Sequence, residues 1–212
     1  MTGTPWTDTT HDIGTVEGLR ALYALPAGAS LKKEADHVHP MYRPFIEQSP
    51  WLAIATLGPH GLDISPRGDA PGFVEVADGH TLLLPDRRGN NRIDTLRNIA
   101  HDPRVSLLFL VPGHNEALRV LGSARISVHP DLLARFEVDG KPPRSVLVVS
   151  VTKVFFQCGR AVLRSGLWNP AKHVTRDALP TAGSVLEVLT QSEIDGAAYD
   201  AALPERQRST LY

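Results

Sequence analysis

Three arginines and two asparagines crowd the point where an apolar strand hands over to a helix. In the stretch 82–99, LLLPDRRGNNRIDTLRNI, Arg87, Arg88, Asn90, Asn91 and Arg92 separate Leu82–Leu84 from a helical pattern. A turn alone needs only Gly and Asn. The spacing predicts a helix over 89–100, with Asn90 as its N-cap and Ile93, Leu96 and Ile99 on one face. A helix N-terminus offers unpaired N–H groups and the positive end of the dipole, which suits acids and binds phosphate. The first charge on this helix would be the cation Arg92, out of place unless an anion neutralises it. A second contribution comes from SPRGD (65–69), where Ser65 and Arg67 are two apart on a strand and share a face. They converge on the same anion if that strand lies beside residues 81–85. The plainer alternative is that these arginines are solvated or paired with Asp63, Asp69, Asp86 and Asp94. Neither a G-x-x-x-x-G-K-[ST] loop nor a G-x-G-x-x-G fingerprint is present.

Other chemistry finds less support. The single cysteine, Cys158, rules out an intrachain disulfide and multi-cysteine metal sites, and is either packing at a strand end or a redox thiol. The pair His37 and His39 lacks a third ligand at a known spacing, so no metal site is expected. No G-x-S-x-G elbow occurs, and no residue stands out as a catalytic acid or base.

The 212 residues carry a formal net charge of -1, so any anion site must be local, and neither nucleic acid nor a membrane surface is an expected partner. No apolar run is long enough to span a bilayer, and the polar N-terminus lacks the pattern of a signal peptide. These features place the protein in the cytoplasm as an expectation.

The elements that must position the arginines read mostly as β. Residues 1–14 form a polar arm. A helix is expected over 15–25, capped by Thr15 and ended by Pro26, and a short one before residue 50. Hairpins follow: 51–57 with LDISPRGD, then GFVEV with TLLLP around the turn 77–79. After the helix come strands at 104–112, at 117–127 with Gly122 marking a bulge or a close backbone approach, and at 145–157. Short helices fall at HPDLLARFEV and GRAVLRSGLW, and the tail is helical with Ser192 and Asp195 spaced as a capping box. This gives an α+β fold, mainly β with helices: six antiparallel strands in a small barrel with helices at its ends. One domain spans 1–212, with an N-terminal helical arm (1–48), a barrel core (49–158) and a C-terminal helical extension (159–212).

The order SPRGD, LLLPDRRGNNRIDTLRNI…DPRVSLLFLVPG, LRVLGSARI and VFFQCGRAVLRSGLW resembles the FMN-binding split-barrel proteins related to pyridoxamine 5'-phosphate oxidase, over roughly residues 15–170. The resemblance implies an antiparallel split barrel, a homodimer and an FMN at each interface built from both chains. The family's G-S-R-K turn for the FMN phosphate matches Gly89, Asn90, Asn91 and Arg92. Its Tyr-Thr pair falls on Pro85 and Asp86, whose backbone would meet the ring or ribityl chain. Ser65 and Arg67 match its flavin-lining strand loosely. Arg119 stands where a Gln reaches the flavin from the second subunit, Phe156 matches the F-W-Q-G strand end, and Arg164 and Trp168 follow as candidates to cover the flavin. The substrate-gripping R-L-H segment of the true oxidases is replaced by Val162-Leu163-Arg164, so pyridoxamine phosphate is not the expected substrate. The apolar runs VSLLFLV and SVLVVSV serve either a dimer interface or the barrel core.

The resemblance therefore implies an FMN-dependent oxidoreductase acting on a small molecule or electron donor. The alternative is a flavin-, deazaflavin- or haem-binding protein for storage or sensing, without turnover. Haem would need a histidine, for which His80 and His101 are the nearest candidates.

Overall fold

The protein is described by a computed structural model over residues 4–212. The first three residues of the polar arm expected at 1–14 lie outside the described residues. Contacts divide the chain into two units, 1–34 and 35–212. In the first, α1 (Val16–Leu22) begins where Thr15 Oγ1 accepts the Gly18 N–H at 3.1 Å, and α2 (Gly28–Lys32) follows. Helix α1 stops at Leu22, short of the predicted end before Pro26.

The second unit opens with α3 (Arg43–Glu47) and then enters the sheet with the hairpin β1 (Trp51–Gly58) and β2 (Gly61–Gly68). A second hairpin, β3 (Glu75–Asp78) and β4 (Thr81–Asp86), leads to α4 (Asp94–His101). Strands β5 (Arg104–Leu110) and β6 (Ala117–Ser127) come next, then α5 (Pro130–Arg135) and the long β7 (Ser145–Gln157). The chain finishes with α6 (Arg160–Ser165), α7 (Ala182–Leu189) and α8 (Gly196–Ser209). The sheet has seven strands where six were expected, in the order β2-β1-β5-β6-β7-β4-β3. The two hairpins and three later strands read from the sequence already make seven, and the short β3, first strand of the second hairpin, carries a register irregularity between Val76 and Asp78.

Every pairing is antiparallel. Four strand spacings separate β1 from β4 in that order, which in a flat sheet would hold them about 19 Å apart. Yet Leu52 and Ile54 of β1 share one buried core with Leu82 and Leu84 of β4. The sheet therefore closes on itself around that core, as a split barrel. Gly122 is both of the things its sequence position suggested. The β6–β7 register shifts between Leu121 and Gly122, and a Cβ on Gly122 would collide with the Ser150 carbonyl.

The alternation of β7 settles the role of its apolar run. Leu147 and Val149 enter the main core, while Val146 and Val148 on the other face pack with Phe136, Leu132 and Leu133 at α5. Both faces are thus consumed within one chain. Among the strands, the most exposed large apolar side chains lie on β2, where Leu62 is 85% and Ile64 69% exposed. In the tail, Asp195 alone caps α8, accepting the Ala198 N–H at 2.9 Å. Ser192 does not form the predicted capping box with it. Its φ of +67° places it in the turn that reverses the chain between α7 and α8.

Candidate functional site

The barrel's inner face turns polar at one end. In register, Leu84 opposes Leu147 and Asp86 opposes Ser145, so the face that buries the leucines carries Asp86 and Ser145 at the mouth. Across the mouth, Ile54 opposes Ser65 and Leu52 opposes Arg67. Strands β2 and β4 are not sheet neighbours, so the expected convergence arises differently. Closure of the barrel brings them face to face, with Arg67 Nη2 4.0 Å from Asp86 Oδ1. Between them lies a cleft of about 510 Å³, roofed by the loop that follows β4. This volume falls within the range of small-molecule sites, ~300–1,000 Å³.

Ser65, Arg67, Pro85, Asp86, Asn90, Asn91 and Arg92 all line this cleft. So do Arg87 and Arg88 of the arginine cluster that opens the sequence reading, and Arg144 and Ser145, which sequence reasoning did not single out. Arg144 and Ser145 gave no signal of their own. They stand in an ordinary loop and at a strand start, and only the β4–β7 register brings them to Asp86.

The local structure corrects one argument. Helix α4 starts at Asp94, not near Gly89, and Asn90 is not its N-cap. Asn91 adopts a left-handed φ of 61°, and Asn90 Oδ1 accepts the Arg92 N–H at 3.0 Å, so the asparagines build a tight turn that delays the helix. The first charge on α4 is therefore Asp94, and Arg92 Nε donates to its Oδ2 at 2.5 Å. That hydrogen bond holds the Asp94 carboxyl below its usual range. Arg92, with 79% of its side chain exposed, is neutralised without any ligand. The case for an anion rests instead on convergence: five arginines from three separate segments line one cleft, and once Arg67, Arg87 and Arg92 are set against Asp86, Asp69 and Asp94, the charges of Arg88 and Arg144 remain.

Those arginines are held to different degrees. Arg67 Nη1 donates to Ser65 Oγ at 2.7 Å and to the Pro66 carbonyl at 2.8 Å. Arg144 Nη1 donates to Asn91 Oδ1 at 2.8 Å, tying the loop to the start of β7. Arg87 is held most firmly: its Nε donates to Asp69 Oδ2 at 2.8 Å and its Nη1 to the Phe136 carbonyl at 2.5 Å. The Tyr212 hydroxyl donates to the other oxygen of Asp69 at 2.6 Å, and Arg87 lies over the Tyr212 ring. Burial works against the Asp69 carboxylate, but hydrogen bonds from Tyr212, the Ala70 N–H and Arg87 outweigh it and hold its pKa down. Asp86 shows the opposite balance. Burial pushes its pKa up, and the charges of Arg67 and Arg144 recover only part of the shift.

Arg119, Phe156, Arg164 and Trp168 are not brought to this cleft. Ser145 and Phe156 sit near opposite ends of β7, roughly 35 Å apart along the strand. Phe156 packs on the main core, and Arg119 lies over the Phe155 ring on the outer face, 5.0 Å from its centroid. Trp168 Nε1 donates to the His114 carbonyl at 2.6 Å, and Arg164 is an exposed residue of α6. His80 and His101 do not line the cleft. The His37 ring lies 6.0 Å from that of His39 and 5.8 Å from that of His80, but no group of three or more metal-ligating side chains occurs among the described residues. Cys158 is exposed. None of the described helices is long and apolar enough to cross a membrane.

Fold and site together define an antiparallel split barrel with an arginine-lined cleft at its mouth. Residues 38–158 match the family described as pyridoxamine 5'-phosphate oxidase, and the chain belongs to that family, whose members typically bind a flavin. Among solved structures, HupZ of Group A Streptococcus is similar at 16% identity, over 57% of this chain and 99% of that one, with a TM-score of 0.48. A Clostridium acetobutylicum protein related to general stress protein 26, of the pyridoxinephosphate oxidase family, is similar at 14% identity, over 56% of this chain and 86% of that one, with a TM-score of 0.44. No curated protein matches the chain.

Proposed function

We propose that this protein is an FMN-binding flavoprotein of the cytoplasm, a homodimer, and an oxidoreductase whose substrate is a small molecule other than pyridoxamine phosphate. The observation that carries the reading is the meeting of Arg67, the loop Arg87–Arg92 and Arg144 in one cleft. One feature of the cleft fits a flavin phosphate ester: a surplus of arginine over carboxylate, carried by Arg88 and Arg144. Arg88, Arg144 and the turn Asn90–Arg92 would hold the phosphate, and Arg67 would approach it from β2. The backbone at Pro85 and Asp86 would orient the ring or its side chain. When bound, the flavin supplies hydride or electron transfer, and the protein supplies placement and charge. Arg119, Phe156, Arg164 and Trp168 would reach a flavin only from the second copy of the chain.

The substrate reading is supported by the segment after β7. Val162-Leu163-Arg164 lies in α6 with Arg164 exposed, and it has Val162 and Arg164 where the oxidases place the arginine and histidine that grip their substrate phosphate. The alternative function, a carrier or sensor without turnover, shares the same cleft. A deazaflavin also brings a phosphate. Haem is less favoured, since no histidine lines the cleft.

An absorbance spectrum of the purified protein, followed by FMN titration, tests the reading. The expected outcome is flavin bands, with affinity reduced about tenfold or more in Arg67→Ala and Arg144→Ala, as for loss of a charge-assisted hydrogen bond. A protein that binds neither FMN nor a deazaflavin would refute it. NADPH-driven bleaching of bound flavin, with reoxidation by an acceptor, separates an enzyme from a carrier.

A further inference from the structure

The loop that roofs the cleft is pinned at two points. Downstream, Arg144 Nη1 donates to Asn91 Oδ1 at 2.8 Å. Upstream, where the chain leaves β4, Arg87 is held by Asp69 and by the Phe136 carbonyl. The two pins differ in what competes with them. Arg144 is exposed and lines the cleft, so an anion bound there draws on it. Asp69 and Phe136 are not part of the lining, and the Asp69 side chain is only 6% exposed. The upstream pin therefore persists when a ligand is in place. It also spans the mouth: Asp69 directly follows β2 and Arg87 directly follows β4, the two strands that face each other there without pairing.

Asp69 is itself oriented by a residue distant in the chain. Tyr212, beyond the end of α8 at Ser209, donates its hydroxyl to Asp69 Oδ1 at 2.6 Å. The Ala70 N–H donates to the same oxygen at 2.7 Å, which leaves Oδ2 for Arg87 Nε. The Tyr212 ring centroid lies 5.5 Å from the Arg87 guanidinium carbon, so the tyrosine meets both members of the ion pair. Hydrogen bonds to an ionised carboxylate are about twice as strong as neutral ones, and they fix its orientation. The hairpin of α7 and α8 holds together by its own contacts: the Gly183 N–H donates to Asp200 Oδ1 at 2.8 Å, and a Cβ on Gly183 would collide with the Gly196 carbonyl. The Tyr212 hydroxyl serves the barrel instead. We propose that Tyr212 is a positioning residue of the cleft, which through Asp69 fixes Arg87 and so sets the place of the loop 87–92. The ligand group that this loop meets, a phosphate, rests on the flavin reading above.

Tyr212→Phe, which removes the hydroxyl and keeps the ring, tests it in the full chain. The first measurement is titration with FMN and with riboflavin, which lacks the phosphate. FMN is expected to bind about three- to tenfold more weakly and riboflavin as before, so that the ratio of the two affinities falls. A merely structural role would lower the melting temperature and leave that ratio unchanged. Arg87→Ala is expected to lower the ratio likewise, and Tyr212→Phe to add nothing in the Arg87→Ala background, because both act through one chain of contacts. The second measurement needs no flavin. The Arg87 Nε–H signal in proton–nitrogen NMR, identified by its absence from Arg87→Lys, is expected to exchange with water faster in Tyr212→Phe. An unchanged ratio in Tyr212→Phe, or additive losses in the double variant, overturns the positioning role. Wild-type protein that binds neither FMN nor riboflavin would overturn the flavin reading, and the NMR signal then decides alone: unchanged exchange at Arg87 Nε–H overturns the role of Tyr212, and faster exchange upholds it.

Discussion

Two aspartates, seventeen positions apart in the chain, carry opposite consequences for pH. The carboxyl of Asp69 is held down by Tyr212, the Ala70 N–H and Arg87 against the cost of its burial. Its stabilising effect is therefore complete above the ordinary carboxylate range and is lost as pH falls through its lowered value. Asp69→Asn is expected to lower stability by about 1–3 kcal/mol near pH 7, with the difference from wild type vanishing in acid. The Asp86 carboxyl is pushed up by burial, so its contribution is greatest in acid and fades as pH rises through the raised value. Asp86→Asn is expected to raise the melting temperature of the ligand-free protein near pH 7. Melting curves of both variants across about pH 3–8, from roughly one unit below the carboxylate reference to roughly four above it, check the pair. At this scale much of the site was legible: Ser65, Arg67 and the run Pro85–Arg92 stand out because polar residues interrupt apolar strands. Ser145 was not, since a serine at the start of a strand is unremarkable until the register shows it facing Asp86 from inside the barrel.

At the scale of elements, the strands were readable because alternation and turn residues agree, and β6 and β7 run over the residues their patterns predict. The start of α4 was not, because Asn90 suits an N-cap and an isolated turn equally well. The decision fell to Asn91, whose left-handed backbone ends one structure before the next begins. Gly122 shows the reverse case, a residue whose type announced its geometry. Gly122→Val is expected to destabilise the fold by about 1–3 kcal/mol, since the new side chain meets the Ser150 carbonyl and must push β6 from β7. Urea unfolding of the variant checks this. An unchanged midpoint would mean that the bulge yields without cost.

For the whole molecule, the sequence left two uses open for the long apolar runs, and the structure assigns β7 to packing within the chain. The most exposed apolar strand face is the outer side of β2, where Leu62 and Ile64 lie on the same face as Leu57 and Ala55 of β1. We propose this face as part of the contact between two copies. Ile64→Lys, alone or with Leu62→Lys, is expected to convert a dimer to a monomer by light scattering, with little change in the melting of the single chain. Flavin affinity should fall with it if the second copy completes the site. A wild-type protein that is already monomeric would refute the dimer. The single-domain organisation over 1–212 is likewise a proposal. A single calorimetric transition for the full chain supports it, and separate melting of 1–34 opposes it.

The cleft also has a consequence for the protein's lifetime. Strands β2 and β4 face each other across the mouth without backbone pairing, so the barrel there is a seam held mainly by side chains. A molecule lodged between them would act as a clasp that only the folded chain can close. Occupancy then adds to the free energy of unfolding in proportion to the logarithm of ligand concentration, about 2.7 kcal/mol at a hundredfold excess over the dissociation constant. On this account cofactor supply would govern more than activity. Cells short of the cofactor would hold more opened chains, exposed to proteases, and so less of the protein.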